Sequence, residues 1–162
     1  MNETRKRLVG LLVGLLIPVG LLLEGFVYNY TYLALAFFVY VIVLPHITGG
    51  GDSEILKLLG SAALLEIGKE IFNITPSASS TIPLIPFIAI VISGLLYYHV
   101  LSGISRRTGF GGFRIQGLLY LGAVAGWFAM VGPLLLLAWA VAVPVSHAVY
   151  YKRHTGGKKN ET

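Results

Sequence analysis

A chain of 162 residues that is 56% hydrophobic and 12% charged, with a mean hydropathy of +0.79, has too little polar surface to clothe a water-soluble globule. It is expected in a lipid bilayer as an all-α helical bundle, and its lack of cysteine excludes a disulfide framework and any thiolate metal site. The net charge of +5 does not point to nucleic acid, because the basic residues flank apolar segments and form no interleaved basic and aromatic surface.

The first apolar stretch, residues 8–28, follows Arg5, Lys6 and Arg7 as the core of a secretory signal would. It is too long for such a core and runs into Glu24 and aromatic residues instead of a small-residue cleavage site, so it reads as a retained transmembrane helix. Phe26, Tyr28, Tyr30 and Tyr32 surround a short polar turn at Asn29 and read as interfacial anchors. A second span is expected over residues 31–47, with Pro45 near its exit. Three glycines at 49–51 then lead to Asp52, the sole aspartate of the chain, at the start of a third helix over residues 53–72. Asp52 or Ser53 is the expected N-cap, with Glu54 in the first turn, where the helix dipole favours an acid. Lys57, Glu66, Lys69 and Glu70 make this helix less apolar than its neighbours.

A neutral loop at residues 73–80 separates it from a fourth span at 82–101, whose Pro83 and Pro86 sit near the first turn. Residues 102–116, with Arg106, Arg107, Arg114 and several glycines, read as a loop. The apolar stretch that follows, 117–151, is longer than the roughly 20 residues one crossing needs. Gly132-Pro133 divides it into expected spans at 115–131 and 133–150. Six crossings with both termini in the cytoplasm place every lysine and arginine except Lys69 on one face, as the positive-inside bias requires, whereas five would strand the basic tail outside. The expectation is a multi-pass cell-membrane protein with one transmembrane domain, 1–151, and a polar basic tail, 152–162. Gly10/Gly14 and Gly122/Gly126 have the four-residue spacing that lets helices approach closely, within the chain or in a homo-oligomer.

Gly-Gly-Gly-Asp at 49–52, the Lys-Leu-Leu-rich helix after it, and Thr-Ile-Pro-Leu-Ile-Pro-Phe-Ile-Ala at 81–89 resemble the GxGD membrane aspartyl proteases, and within them the type IV prepilin and preflagellin peptidases. The resemblance covers residues 48–101. It implies a catalytic role for Asp52 at the cytoplasmic face, with a short leader peptide as substrate. That chemistry uses two carboxylates sharing a proton, and this chain has no second aspartate. Glu24 is expected at the opposite interface and Glu66 and Glu70 several turns along their helix, which leaves Glu54 and Glu3 as the nearby acids. The resemblance therefore implies a relative without an intact dyad.

Two other constellations stand out. His46, His99 and His147 are each expected at the cytoplasmic end of a span, at the depth of Asp52, where imidazoles and a carboxylate hold a divalent metal or relay protons, or serve as ordinary interfacial histidines. Glu24, Glu66, Lys69 and Glu70 form an intramembrane polar cluster in the outer half, read either as an ion-paired structural set, Glu24 with Lys69, or as the site of a small transport or substrate-binding subunit. A third class is a structural subunit that assembles with a second copy or a membrane partner. No cofactor other than the metal is implied.

Overall fold

The computed structural model describes residues 3–27, 31–74, 84–126 and 131–156. Among these the chain is all helical, without a strand: α1 Glu3–Val27, α2 Thr31–Thr48, α3 Asp52–Ile74, α4 Leu84–Thr108, α5 Gly112–Ala125 and α6 Gly132–Gly156. Three of the six, over Thr4–Leu23, Leu84–Thr108 and Gly132–Arg153, are long and apolar enough to cross a bilayer.

Two short turns of the same design join α2 to α3 and α4 to α5. Each helix closes on a threonine whose hydroxyl donates to the carbonyl four residues back, Thr48 to Leu44 and Thr108 to Ile104, both at 2.8 Å. Each then passes through a left-handed glycine, Gly49 at φ +71° and Gly109 at φ +66°, a conformation that costs a residue with a Cβ roughly 1 kcal/mol or more. After α2 the amide of Gly50 donates to the Pro45 carbonyl at 2.7 Å, the six-to-one bond of a Schellman ending. The next helix starts three residues after each such glycine. The Gly51 carbonyl accepts from Glu54 at 3.0 Å, so Gly51 is the N-cap of α3 and Asp52 its first helical residue, a correction to the expected cap at Asp52 or Ser53.

The helices form a closed ring in chain order. Each packs on its sequence neighbours, α6 packs back on α1, and α2 also touches α4 across the middle. The buried stripe of α1 is Gly10, Gly14, Ile17 and Gly20, small residues that admit α2 and α6. A Cβ at Gly10 would meet Ile47 and the His147 ring, and one at Gly14 would meet His147, Val143 and Pro144, so this spacing serves contacts within the chain. Aromatic side chains fill the centre. Tyr120 lies 4.5 Å from Tyr97, 5.4 Å from Phe37 and 5.2 Å from Trp139 between ring centroids.

The outside is inverted relative to a soluble protein. Leu12, Leu35, Leu56, Ile85, Ile115 and Leu134, one on each helix, are all more than half exposed. An apolar exterior on every side of the ring exceeds the few hundred Å² that a soluble monomer carries. Basic residues collect at one end, where the Arg7 guanidinium lies 5.3 Å over Tyr150 and that of Arg153 5.6 Å over Phe110.

Residues 102–116 are not a loop. α4 continues through Arg106 and Arg107 to Thr108, and α5 begins at Gly112, leaving only 109–111 between them. The arginines mislead because a charge at a helix end needs no break in the helix: both stand on the exposed side of the last turn of α4, where cations suit the dipole. The break in the final apolar stretch is present, but α5 stops earlier than expected, at Ala125, with Gly126 as its C-cap. Its 14 residues make about 21 Å of helix, short of a full hydrocarbon core. At the other end α6 runs to Gly156, so Lys152 and Arg153 of the expected tail are helical.

Candidate functional site

The glycine turn places Asp52 on the exposed rim of the bundle end, and among the described residues neither a hydrogen bond nor an ion pair holds its carboxylate. Glu54, at the third helical position, points toward α4. Its two oxygens take both terminal nitrogens of Arg107, Nη1 at 2.7 Å and Nη2 at 2.9 Å, while Nε of the same guanidinium donates to the Thr48 carbonyl at 3.1 Å. One arginine thus ties the last carbonyl of α2 and the first turn of α3 to the end of α4. With both oxygens in this fork, Glu54 is not available to share a proton with Asp52.

The other expected constellations are dispersed. Glu66 and Lys69 pair within α3 at 3.1 Å, both partly exposed, and Glu70 is exposed. The side chains of Glu24 and Glu3 lie outside the described residues. His46 is exposed, and its Nδ1 lies 3.1 Å from the Ile42 carbonyl of its own helix. His99 is exposed on α4, whereas His147 is buried on α6, packed over Gly10 and Gly14. Among the described residues no three histidine or acidic side chains are grouped to hold a metal ion.

What the ring does bring together is a set of neutral polar groups in its interior. The Tyr40 hydroxyl of α2 donates to Oε1 of Gln116 on α5 at 2.9 Å and lies 3.2 Å from Nε2 of His147 on α6. A hydroxyl has one proton, so with Tyr40 donating to the amide oxygen, Nε2 of the histidine is the donor in the second contact. A layer further along, Ser61 of α3 and Ser93 of α4 each donate to the other's backbone carbonyl, at 2.8 and 2.7 Å, and the Tyr120 hydroxyl lies 3.4 Å from Ser93 Oγ.

Three further polar atoms in this interior form no hydrogen bond of good geometry, the Tyr97 hydroxyl, Gln116 Nε2 and Trp139 Nε1, although the Tyr97 hydroxyl has the Trp139 indole and the Tyr40 hydroxyl within polar reach. Their residues are at most 1% exposed. A buried donor without an acceptor costs on the order of 1–3 kcal/mol, a penalty that Gln116 Nε2 bears and that the loose contacts of Tyr97 and Trp139 relieve only in part. All three donate, and the set contains neither an acid nor a cation. The arrangement is therefore suited to holding the oxygen of an uncharged molecule by hydrogen bonds, and it offers neither a carboxylate pair nor an activated nucleophile.

None of these interior residues stood out in the sequence apart from His147. Gln116 lay in a stretch read as a loop, and the interior tyrosines and Trp139 belong to no motif. The available signal was spacing: Ser93, Tyr97 and Val100 recur at helical intervals on the buried side of α4. Compared with known protein families, characterised proteins and solved structures, the chain matches none.

Proposed function

We propose that this chain is a multi-pass membrane protein of the transport or solute-binding class, taking a small uncharged solute with an acceptor oxygen into the interior of its helical ring. The observation that carries this reading is the trio of buried donors without a well-formed hydrogen bond, Tyr97, Gln116 and Trp139, beside the Tyr40–Gln116–His147 cluster. Six crossings of the cell membrane with both ends in the cytoplasm go with it. Support comes from the apolar exterior of all six helices and the basic residues gathered at the end where α1 begins and α6 finishes. A peptidase of the GxGD kind is the weaker reading: Asp52 is exposed and Glu54 is held by Arg107.

Flux of urea and glycerol into proteoliposomes, followed by stopped-flow light scattering, tests the proposal. Permeation above that of empty liposomes is expected, and Tyr97→Phe and Gln116→Leu should lower it severalfold. Tyr97→Phe is the sharper variant, because its hydroxyl forms no well-shaped hydrogen bond in the structure and its removal should leave the fold intact. Permeation equal to that of protein-free liposomes for both solutes, or unchanged in both variants, refutes the reading.

A further inference from the structure

The ends of α4 and α5 enclose an open cleft of about 370 Å³ lined by Tyr98, His99, Ser102, Ser105, Arg106 and Arg114. Residues 98, 99, 102, 105 and 106 fall at three- and four-residue intervals and so form one stripe about 12 Å long down α4. Every lining side chain carries a hydrogen-bond donor or an imidazole, and none carries a carboxylate. Arg107 next door is neutralised by Glu54, but among the described residues Arg106 and Arg114 have no ion-pair partner.

Arg114 also sits in the first turn of α5, where a cation opposes the helix dipole. That helix has neither an acidic residue in its first turn nor a side-chain cap on its opening amides. An anion in the cleft would answer both arginines and the helix end at once. Exposed apolar residues, Leu95 on α4 with Ile115 and Leu118 on α5, continue from the same two helices toward the middle of the bundle. A polar, cationic pocket thus opens at the edge of an apolar surface.

From this geometry we propose that the α4–α5 cleft binds a phosphate-bearing anion, supplied either by an anionic phospholipid headgroup or by a soluble phosphate ester. Two guanidiniums lining one cleft offer fork-shaped donors for phosphate oxygens, and the serine and tyrosine hydroxyls would complete the shell. The site is separate from the ring interior and does not depend on the solute-binding reading.

The test compares the full chain in nanodiscs of pure phosphatidylcholine with discs containing a fifth phosphatidylglycerol. Native mass spectrometry of lipids retained on release is one readout, and direct binding of inorganic phosphate or glycerol 3-phosphate to the pure phosphatidylcholine discs is the other. Retention of phosphatidylglycerol over phosphatidylcholine identifies the headgroup as the source, and binding of millimolar glycerol 3-phosphate without lipid selectivity identifies the soluble ester. In either case Arg106→Gln with Arg114→Gln should weaken binding at least about tenfold, the loss of one charge-assisted contact or more. Arg5→Gln with Lys57→Gln removes the same charge from exposed positions outside the cleft and should change binding less than twofold. Equal loss in the two double variants reduces the effect to diffuse attraction and overturns the proposal, as does binding of neither probe. Circular dichroism of each variant checks that the helices persist.

Discussion

Replacing Ser93 by alanine should destabilise the bundle more than replacing Ser61, although the two serines face each other with nearly the same geometry. Each hydroxyl donates to the other's backbone carbonyl, at 2.8 and 2.7 Å, so each proton is already committed and the 3.2 Å approach of the two hydroxyl oxygens adds no bond. Ser61→Ala then removes one interhelical hydrogen bond, of the order of 0.6 kcal/mol between membrane helices and at most about 1.7. Ser93→Ala removes an equivalent bond and also the acceptor 3.4 Å from the Tyr120 hydroxyl, leaving that buried group only its poorer contact with Ser61 at a further cost of up to about 1 kcal/mol. The assay is reversible unfolding from mixed micelles by titration with sodium dodecyl sulfate, followed by far-ultraviolet circular dichroism. Ser61→Ala with Ser93→Ala should be additive within about 0.5 kcal/mol, whereas Tyr120→Phe should cost less in the Ser93→Ala background than in the parent. Strong coupling between the two serines, or strict additivity of Ser93 with Tyr120, would refute this division of protons.

Other outcomes follow from the packing and the turns. A Cβ at Gly94 would lie 2.5 Å from Val124 and 3.3 Å from the backbone of Leu121. Gly94→Ala should therefore push α4 and α5 apart and cost about 1–3 kcal/mol, while Gly103→Ala, which meets open space on the same helix, should be neutral or stabilising by up to about 1 kcal/mol in the same unfolding assay. Glu54→Gln breaks an ion pair that is partly exposed, so its cost should stay below about 1 kcal/mol and shrink further in molar salt. Because the chain has no cysteine, any introduced one is its only thiol. Single cysteines at Arg5 and Lys152 should react with an impermeant maleimide from the cytoplasmic side only, and reaction of the two from opposite sides would refute an even number of crossings.

Much of the helix layout was legible because apolar runs and glycine punctuation are local. The starts of α2 and α3 and the break at Gly132-Pro133 were each written in a few adjacent residues. The stretch around Arg106 failed for a physical reason. Charges and glycines are tolerated at the wetted end of a helix as readily as in a loop, so composition alone does not separate the two. The candidate site was less legible still. Tyr40, Gln116 and His147 lie on three helices, and which helices adjoin depends on the ring closing α6 onto α1, a relation no local pattern encodes. The three histidines misled in the same way: equal depth along three helices leaves open which way each ring faces.

The closure of that ring also sets an order of assembly. During synthesis α1 emerges well before α6, yet Val143, Pro144 and His147 of α6 cover Gly14, and His147, together with Ile47 of α2, covers Gly10. Until α6 arrives, the Gly10–Gly14 groove stays open to lipid or to whatever accompanies insertion, and Tyr40 waits for its imidazole partner. A nascent chain halted before residue 132 would accordingly be an unfinished ring, the form in which cellular quality control would meet it.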